Sequence, residues 1–229
     1  MCSVCAVGTS WTEQPIFFVD FEGSRASGIL EFGVVEVRQG KIVSTRTRLC
    51  RALGQVRPED VAVHGLQEAA LATCAPFADE LHYFLSLREL GPLAAHYAGV
   101  ENGLLKSVWP YPRSVPDFAR PGARLVDWGP WIDSARLYEQ LFPQFDSGRL
   151  ANLVAATGVQ GELDRLAAEH CPPDRCRYHA ALYDALAGAL LLAVLARDPQ
   201  IAALSLMQVL ALSTLDPRKR DALQQRELF

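Results

Sequence analysis

The sequence has no apolar run long enough to cross a bilayer. Its most apolar stretch, Ala185 to Ala196 (ALAGALLLAVLA), falls short of the roughly 20 residues that a spanning helix needs, and it reads as a buried helix. The opening MCSVCAVGTSWTEQ has neither the basic start nor the long apolar centre of a secretory signal. A cytoplasmic address with no membrane partner is therefore expected. Excess positive charge is missing too: 22 Lys plus Arg stand against 26 Asp plus Glu, a formal net charge of −4. No general attraction to phosphate or anionic lipid follows, so nucleic-acid contact would need a local patch or bound cations. Neither an internal repeat nor a low-complexity tract is present. The six cysteines are scattered, and reduced thiols rather than a disulfide framework are expected. Cys2 with Cys5, and Cys171 with Cys176 beside His170, raise structural zinc as an alternative. Each would need ligands from distant parts of the chain to complete a site.

What is present suffices for one sizeable core, since 50% of the 229 residues are hydrophobic. An apolar run through Phe17 is followed by GILEFGVVEV (Gly28 to Val37), a turn at Gln39-Gly40, and the alternating KIVSTRTRL (Lys41 to Leu49). These predict a three-stranded antiparallel meander. From Arg57 the period becomes helical, with Phe77, Leu81, Phe84 and Leu85 on one face. Leu93 to His96 reads as a short inner strand followed by a helix opening near Val100, residues 107–123 as a proline-rich loop, and Leu125 to Trp128 as a strand. Helices are expected over Ser134 to Leu141, Arg149 to Thr157, Glu162 to Glu169, Ala180 to Ala196, Ile201 to Leu212 and Pro217 to Arg226. The sum is an α/β domain with a mixed sheet. Residues 1–14 are expected as a flexible segment, 15–197 as the main domain and 198–229 as a helical extension packed upon it.

The strand in FFVDFEGS ends in two acids, Asp20 and Glu22. Residues two apart in a strand face the same way, so both carboxylates enter one small volume and raise each other's pKa unless a cation lies between them. A strand end fraying into a solvated loop is the plain alternative. Two further segments carry acids beside histidine: AHYAGVENGLL, with Glu101 at a helix start, and YHAALYDALAGALLL, with His179 and Asp184. Five residues on a helix turn through about 140°, which puts His179 in the preceding loop and Asp184 inward. An acid opening an apolar helix is costly to bury unless it is paired or coordinates a cation, and the small residues after Asp184 let that helix lie close to the sheet.

Taken in order, VDFEG (Asp20, Glu22), PEDVAVHGL, HYAGVE (His96, Glu101), IDSARLYEQLFPQ and HAALYD (His179, Asp184) resemble the motifs of DEDDh-type 3'→5' exonucleases of the DnaQ-like superfamily, over about Pro15 to Leu195. The resemblance implies an RNase H-like fold, in which the meander is extended by parallel strands and flanked by helices. It also implies two divalent ions, Mg²⁺ or Mn²⁺, held by Asp20, Glu22, Asp184 and Glu101, with His179 as general base. The implied reaction is hydrolysis at the 3' end of single-stranded DNA or RNA, releasing nucleoside 5'-monophosphates. Phe21, Gly23, Ser24, His64 and Tyr97 fall where the resemblance places contacts to the terminal nucleotide, although His64 also reads as a loop-shaping residue.

Three positions depart from the pattern. Glu101 stands for the usual Asp, Tyr97 for a common Asn, and Gly23 for a common Thr or Ser, with Ser24 next along. If Glu101 weakens the site, the chain is an impaired relative that binds nucleic-acid ends or a partner. The apolar excess of Ile201 to Leu212 suggests a homodimer contact or docking to a polymerase or other partner, or else completion of the core. Trp109, Tyr111, Trp128 and Trp131 are either stacking platforms or core anchors. Arg25, Lys106, Arg113 and Arg177 are either phosphate contacts or solvated surface.

Overall fold

The computed structural model describes residues 10–214 and, beyond them, 216, 218, 220, 221 and 223. Cys2 and Cys5 lie outside the described residues, as does most of the helix expected over Pro217 to Arg226. Strands β1 (Ile16–Ser24), β2 (Gly28–Arg38) and β3 (Lys41–Leu49) form the antiparallel meander. β2 and β3 are joined by Gln39 and Gly40, whose φ values of 49° and 68° are both positive, the turn geometry whose twist suits paired strands.

Helices α1 (Pro58–His64), α2 (Glu68–Leu71) and α3 (Leu81–Leu90) lead to β4 (Leu93–Ala95) and then to α4 (Ala98–Val108). The loop that follows carries a small antiparallel pair, β5 (Val115–Pro116) and β6 (Arg124–Leu125), before β7 (Trp131–Asp133). After it come α5 (Ser134–Leu141), α6 (Leu150–Ala156), α7 (Gln160–His170), α8 (Ala181–Arg197), α9 (Pro199–Ala202) and α10 (Leu206–Leu212). The main sheet runs β3-β2-β1-β4-β7, with β4 parallel to β1 and β7 parallel to β4.

The strand expected over Leu125 to Trp128 is corrected: β6 is outside the main sheet, and β7 is the strand that extends it. Trp128 is fully buried and its indole donates to the Trp109 carbonyl at 2.9 Å, while the Asp127 carboxylate accepts from the Gly129 N–H at 3.0 Å and turns the chain. These contacts use the stretch as an anchor and leave no extended run to pair.

Alternation along β1 divides the core into two layers. Ile16 and Phe18 join Val35 and Val37 beneath α8, whereas Phe17, Val19 and Phe21 join Phe77, Phe84 and Trp109 on the opposite face. The rings of Phe21, Trp109 and Trp128 are therefore core anchors, not stacking platforms. α8 lies close to the sheet because glycine permits it: a Cβ on Gly188 would stand 2.0 Å from the Phe18 ring, and one on Gly33 would stand 2.3 Å from the Ala181 carbonyl oxygen.

The chain ends add to this core. Leu206, Val209 and Leu210 of α10 are buried in the α8 layer, with Ile201, Leu204, Met207 and Leu212 partly buried against it, so this segment completes the core at least in part. Trp11 is buried, and its indole donates to the Ile201 carbonyl at 2.8 Å. Residues 10–14, expected to be part of a flexible segment, are thus built into the fold. No helix among the described residues is long and apolar enough to cross a membrane.

These contacts predict opposite outcomes for two glycines. Gly188→Ala overpacks the α8 interface and should cost about 1–3 kcal/mol. Gly161→Ala in α7 meets nothing within 4 Å and should be neutral or stabilising by up to about 1 kcal/mol. Urea titration of both variants checks the pair, and equal midpoints would contradict the close α8 contact.

Candidate functional site

The site forms where β1 runs past the end of β4. β4 pairs with β1 only at Phe17 and Phe18, which leaves the outer half of β1 open on that side. Glu101, in the first turn of α4, is buried beside this opening, and the Phe21 backbone N–H acts to lower its carboxyl pKa. On the α8 side, Asp184 occupies the first turn of α8 and is buried. Its Oδ2 accepts from the His179 backbone N–H at 3.0 Å. His179 is exposed with φ 62°, a strained conformation for a residue with a side chain. Glu22, His179 and Asp184 offer ligand atoms that all lie within 4.8 Å of one another.

A bulge follows Glu22, where the β1–β2 register shifts. Gly23 sits there at φ 130°, and a Cβ would come within 2.3 Å of the Gly28 carbonyl oxygen. This backbone excludes the Thr or Ser of the resembled motif and ends the regular ladder just beyond the two acids.

Four carboxyl groups are buried together. Burial pushes Glu22 up to about 8, reinforced by Asp184 and Glu31 and opposed by Arg175 and Arg177. Burial raises Glu101 to about 8, helped by Glu22 and countered by the Phe21 N–H. Burial lifts Asp184 to about 7, against the pull of the His179 N–H. Asp20 is held well above its ordinary range by burial and then by Glu101, Asp184 and Glu22. Glu101 Oε2 and Asp184 Oδ1 are buried without a hydrogen-bond partner. Buried polar atoms are seldom left so, and an all-carboxylate donor set with orphaned oxygens fits a hard divalent cation. The Cys171, Cys176 and His170 alternative gains no such support, since Glu22, His179 and Asp184 are the metal-capable group among the described residues.

Neighbouring side chains fix the walls. Asp133 accepts from the N–H groups of Tyr97 (3.2 Å), Ala98 (3.0 Å), Ala135 (3.1 Å) and Arg136 (3.3 Å), so one carboxylate caps both α4 and α5. His96 is satisfied by Ser134 Oγ at 2.9 Å and the Gly148 carbonyl at 2.8 Å, and burial lowers its pKa to about 4. It is a neutral structural residue. His64 is also buried, its pKa lowered by burial, and its Nδ1 accepts from the Leu66 N–H at 3.0 Å, which shapes the turn at Gly65.

The expected contact residues divide. Tyr97, at φ 59°, lines a 270 Å³ cavity with Gly99, Val100, Asp133 and Arg136. Gly23, Ser24 and Arg25 line a 280 Å³ cavity against Gly99, Val100 and Gly103 of α4. The Ser24 hydroxyl is itself engaged with Ser27 within the β1–β2 turn. The Phe21 ring points into the core, so only its backbone faces the acids. Lys106 is paired with Asp127 at 2.7 Å, while Arg177 donates to the His64 carbonyl at 3.3 Å at the site's edge. The buried pair Glu31–Arg175 was missed in the sequence. An acid inside the apolar run GILEFGVV was its available signal.

No family model matches the sequence, and no curated protein does. Solved structures do match in fold. Exonuclease X in complex with 5' overhanging duplex DNA is 23% identical at a TM-score of 0.60, covering 87% of this chain and 99% of that one. The nuclease domain of 3'hExo, a DEDDh family member bound to rAMP, is 16% identical at a TM-score of 0.59, covering 83% and 96%. An Exonuclease I from Methylocaldum szegediense is 14% identical at a TM-score of 0.62, covering 93% of this chain and 45% of its own. The mixed sheet flanked by helices is thus the RNase H-like fold of these proteins.

The raised carboxylates set the pH dependence of stability. Glu22 and Glu101 go from 4.5 in the unfolded chain to about 8 when folded, so the folded state retains protons that the unfolded state loses, and stability falls as pH rises through this interval. Buried His64 and His96 act oppositely below 6.5, which leaves pH 6.5 to 8 as the clean window. In chelator, the melting temperature should fall across that window, and Mg²⁺ or Mn²⁺ should raise it more at pH 8 than at pH 6.5. A flat or rising profile in chelator would contradict the carboxylate cluster.

Proposed function

We propose that this chain is a metal-dependent 3'→5' exonuclease of the DEDDh type, acting on single-stranded DNA or RNA ends. The observation that carries the proposal is the convergence of Asp20, Glu22, Glu101 and Asp184, with two orphaned oxygens, beside an exposed His179. Its support from comparison is a fold shared with several exonucleases, one in complex with overhanging DNA and one bound to rAMP.

Asp20, Glu22 and Asp184 would hold one divalent ion, and Asp20 with Glu101 a second. When bound, such ions polarise the phosphate, lower the pKa of an attacking water and offset charge on the leaving oxygen. His179 would take the proton from the attacking water, the general-base role that the resemblance to DEDDh exonucleases implies. Its backbone N–H contact to Asp184 ties the base to the acid cluster. Glu101 couples electrostatically to Glu22 and Asp184, which supports its serving in place of the usual Asp. The cavities beside Gly23 and Tyr97 flank the first turn of α4 and offer room for the terminal nucleotide. Sugar preference would depend on a polar contact to the 2'-hydroxyl.

The test is degradation of 5'-labelled single-stranded DNA and RNA with Mg²⁺, Mn²⁺ or chelator. A ladder shortening from the 3' end is expected with metal, absent in chelator and in Asp20→Ala. His179→Ala should lower kcat by about 10²–10⁴-fold. If wild type is inert with either metal while Glu101→Asp degrades a strand, the chain is an impaired relative whose role is binding.

A further inference from the structure

Arg175 lies just before the loop that carries His179 and is almost fully buried. Its guanidinium makes four hydrogen bonds at once. Nε donates to Glu31 Oε1 at 3.2 Å, and Nη2 donates to Glu31 Oε2, forming a two-pronged pair with β2. Nη1 donates to the His64 carbonyl at 2.6 Å, and Nη2 also donates to the His179 carbonyl at 3.1 Å. Glu31 Oε2 in turn accepts from the Ala181 N–H at 3.1 Å, at the start of α8.

Both backbone polar groups of His179 are therefore held: its N–H by Asp184 and its carbonyl by Arg175. A residue with a side chain at φ 62° keeps that conformation only when its surroundings over-determine it. His179 is an exposed residue, and these backbone bonds set where its side chain starts.

We propose that Arg175, anchored on Glu31, is a positioning residue that holds the His179 backbone in its left-handed conformation and so aims the imidazole at the acid cluster. The inference rests on the exonuclease reading for its catalytic consequence, but not for its structural one. Arginine is required because its rigid fork reaches Glu31, His64 and His179 together. Lysine keeps the charge opposite Glu31 but has a single nitrogen to share among them.

The experiment compares wild type, Arg175→Lys, His179→Ala and the double variant, with circular dichroism melts to verify folding. kcat on a single-stranded oligonucleotide should fall about 10–100-fold in Arg175→Lys with KM little changed, and the same substitution should have no further effect on kcat in the His179→Ala background. An equal loss in both backgrounds, or wild-type kcat in Arg175→Lys, would overturn the proposal. Hydrogen exchange provides a readout that needs no activity: a peptide spanning residues 177–182 should exchange faster in Arg175→Lys, and unchanged exchange would also overturn it. Should the lysine variant fail to fold, Glu31→Met with Arg175→Met removes both buried charges together and is judged by the same outcomes. If wild type shows no metal-dependent shortening, the exonuclease reading fails, while exchange still decides the clamp.

Discussion

The structure is organised around four acidic side chains that the fold buries in one place. Asp20 and Glu22 share one face of β1, and Glu101 and Asp184 arrive from helices on either side of the sheet. Each is raised above its ordinary pKa, with burial as the largest cause. Such a cluster stays together only if the surrounding chain is stiff enough to resist its spreading. The two-layered core supplies that stiffness, with α8 seated on the sheet through Gly33 and Gly188 and an aromatic group, Phe21, Phe77, Phe84 and Trp109, packed on the opposite face.

Two kinds of scaffold meet at this point. The acids themselves stand on regular elements, where strand and helix geometry fixes their direction. His179 stands on a loop, its backbone N–H donating to Asp184 and its carbonyl accepting from Arg175. The first arrangement resists electrostatic strain, and the second leaves an imidazole in solvent contact.

Much of this was legible in the sequence because the relevant signals are local. Period-two alternation and the Gln39-Gly40 turn mark the meander, and the spacing of Asp20 and Glu22 gives their shared face. Asp184 stands out because an acid opens an otherwise apolar helix. β7 was illegible: three residues carry no period, and their extension of the sheet depends on β4 pairing with Trp131 to Asp133. The Trp11 anchor and the buried face of α10 depend on contacts between opposite chain ends, which no local pattern records. Glu31 and Arg175 are separated by 144 positions, so only the fold reveals them as a pair. Gly23 shows the converse: its departure from the resembled motif has a local cause, a bulge whose φ of 130° admits glycine.

Asp133 carries a consequence for how such a chain tolerates change. By capping α4 and α5 with one carboxylate, it fixes the start of α4 from β7 and bypasses the irregular loop between Val108 and Trp131. Glu101 is thereby registered to the sheet independently of that loop's length. Changes confined to the exposed turn at Arg120, Pro121 and Gly122 can therefore leave the acid in place.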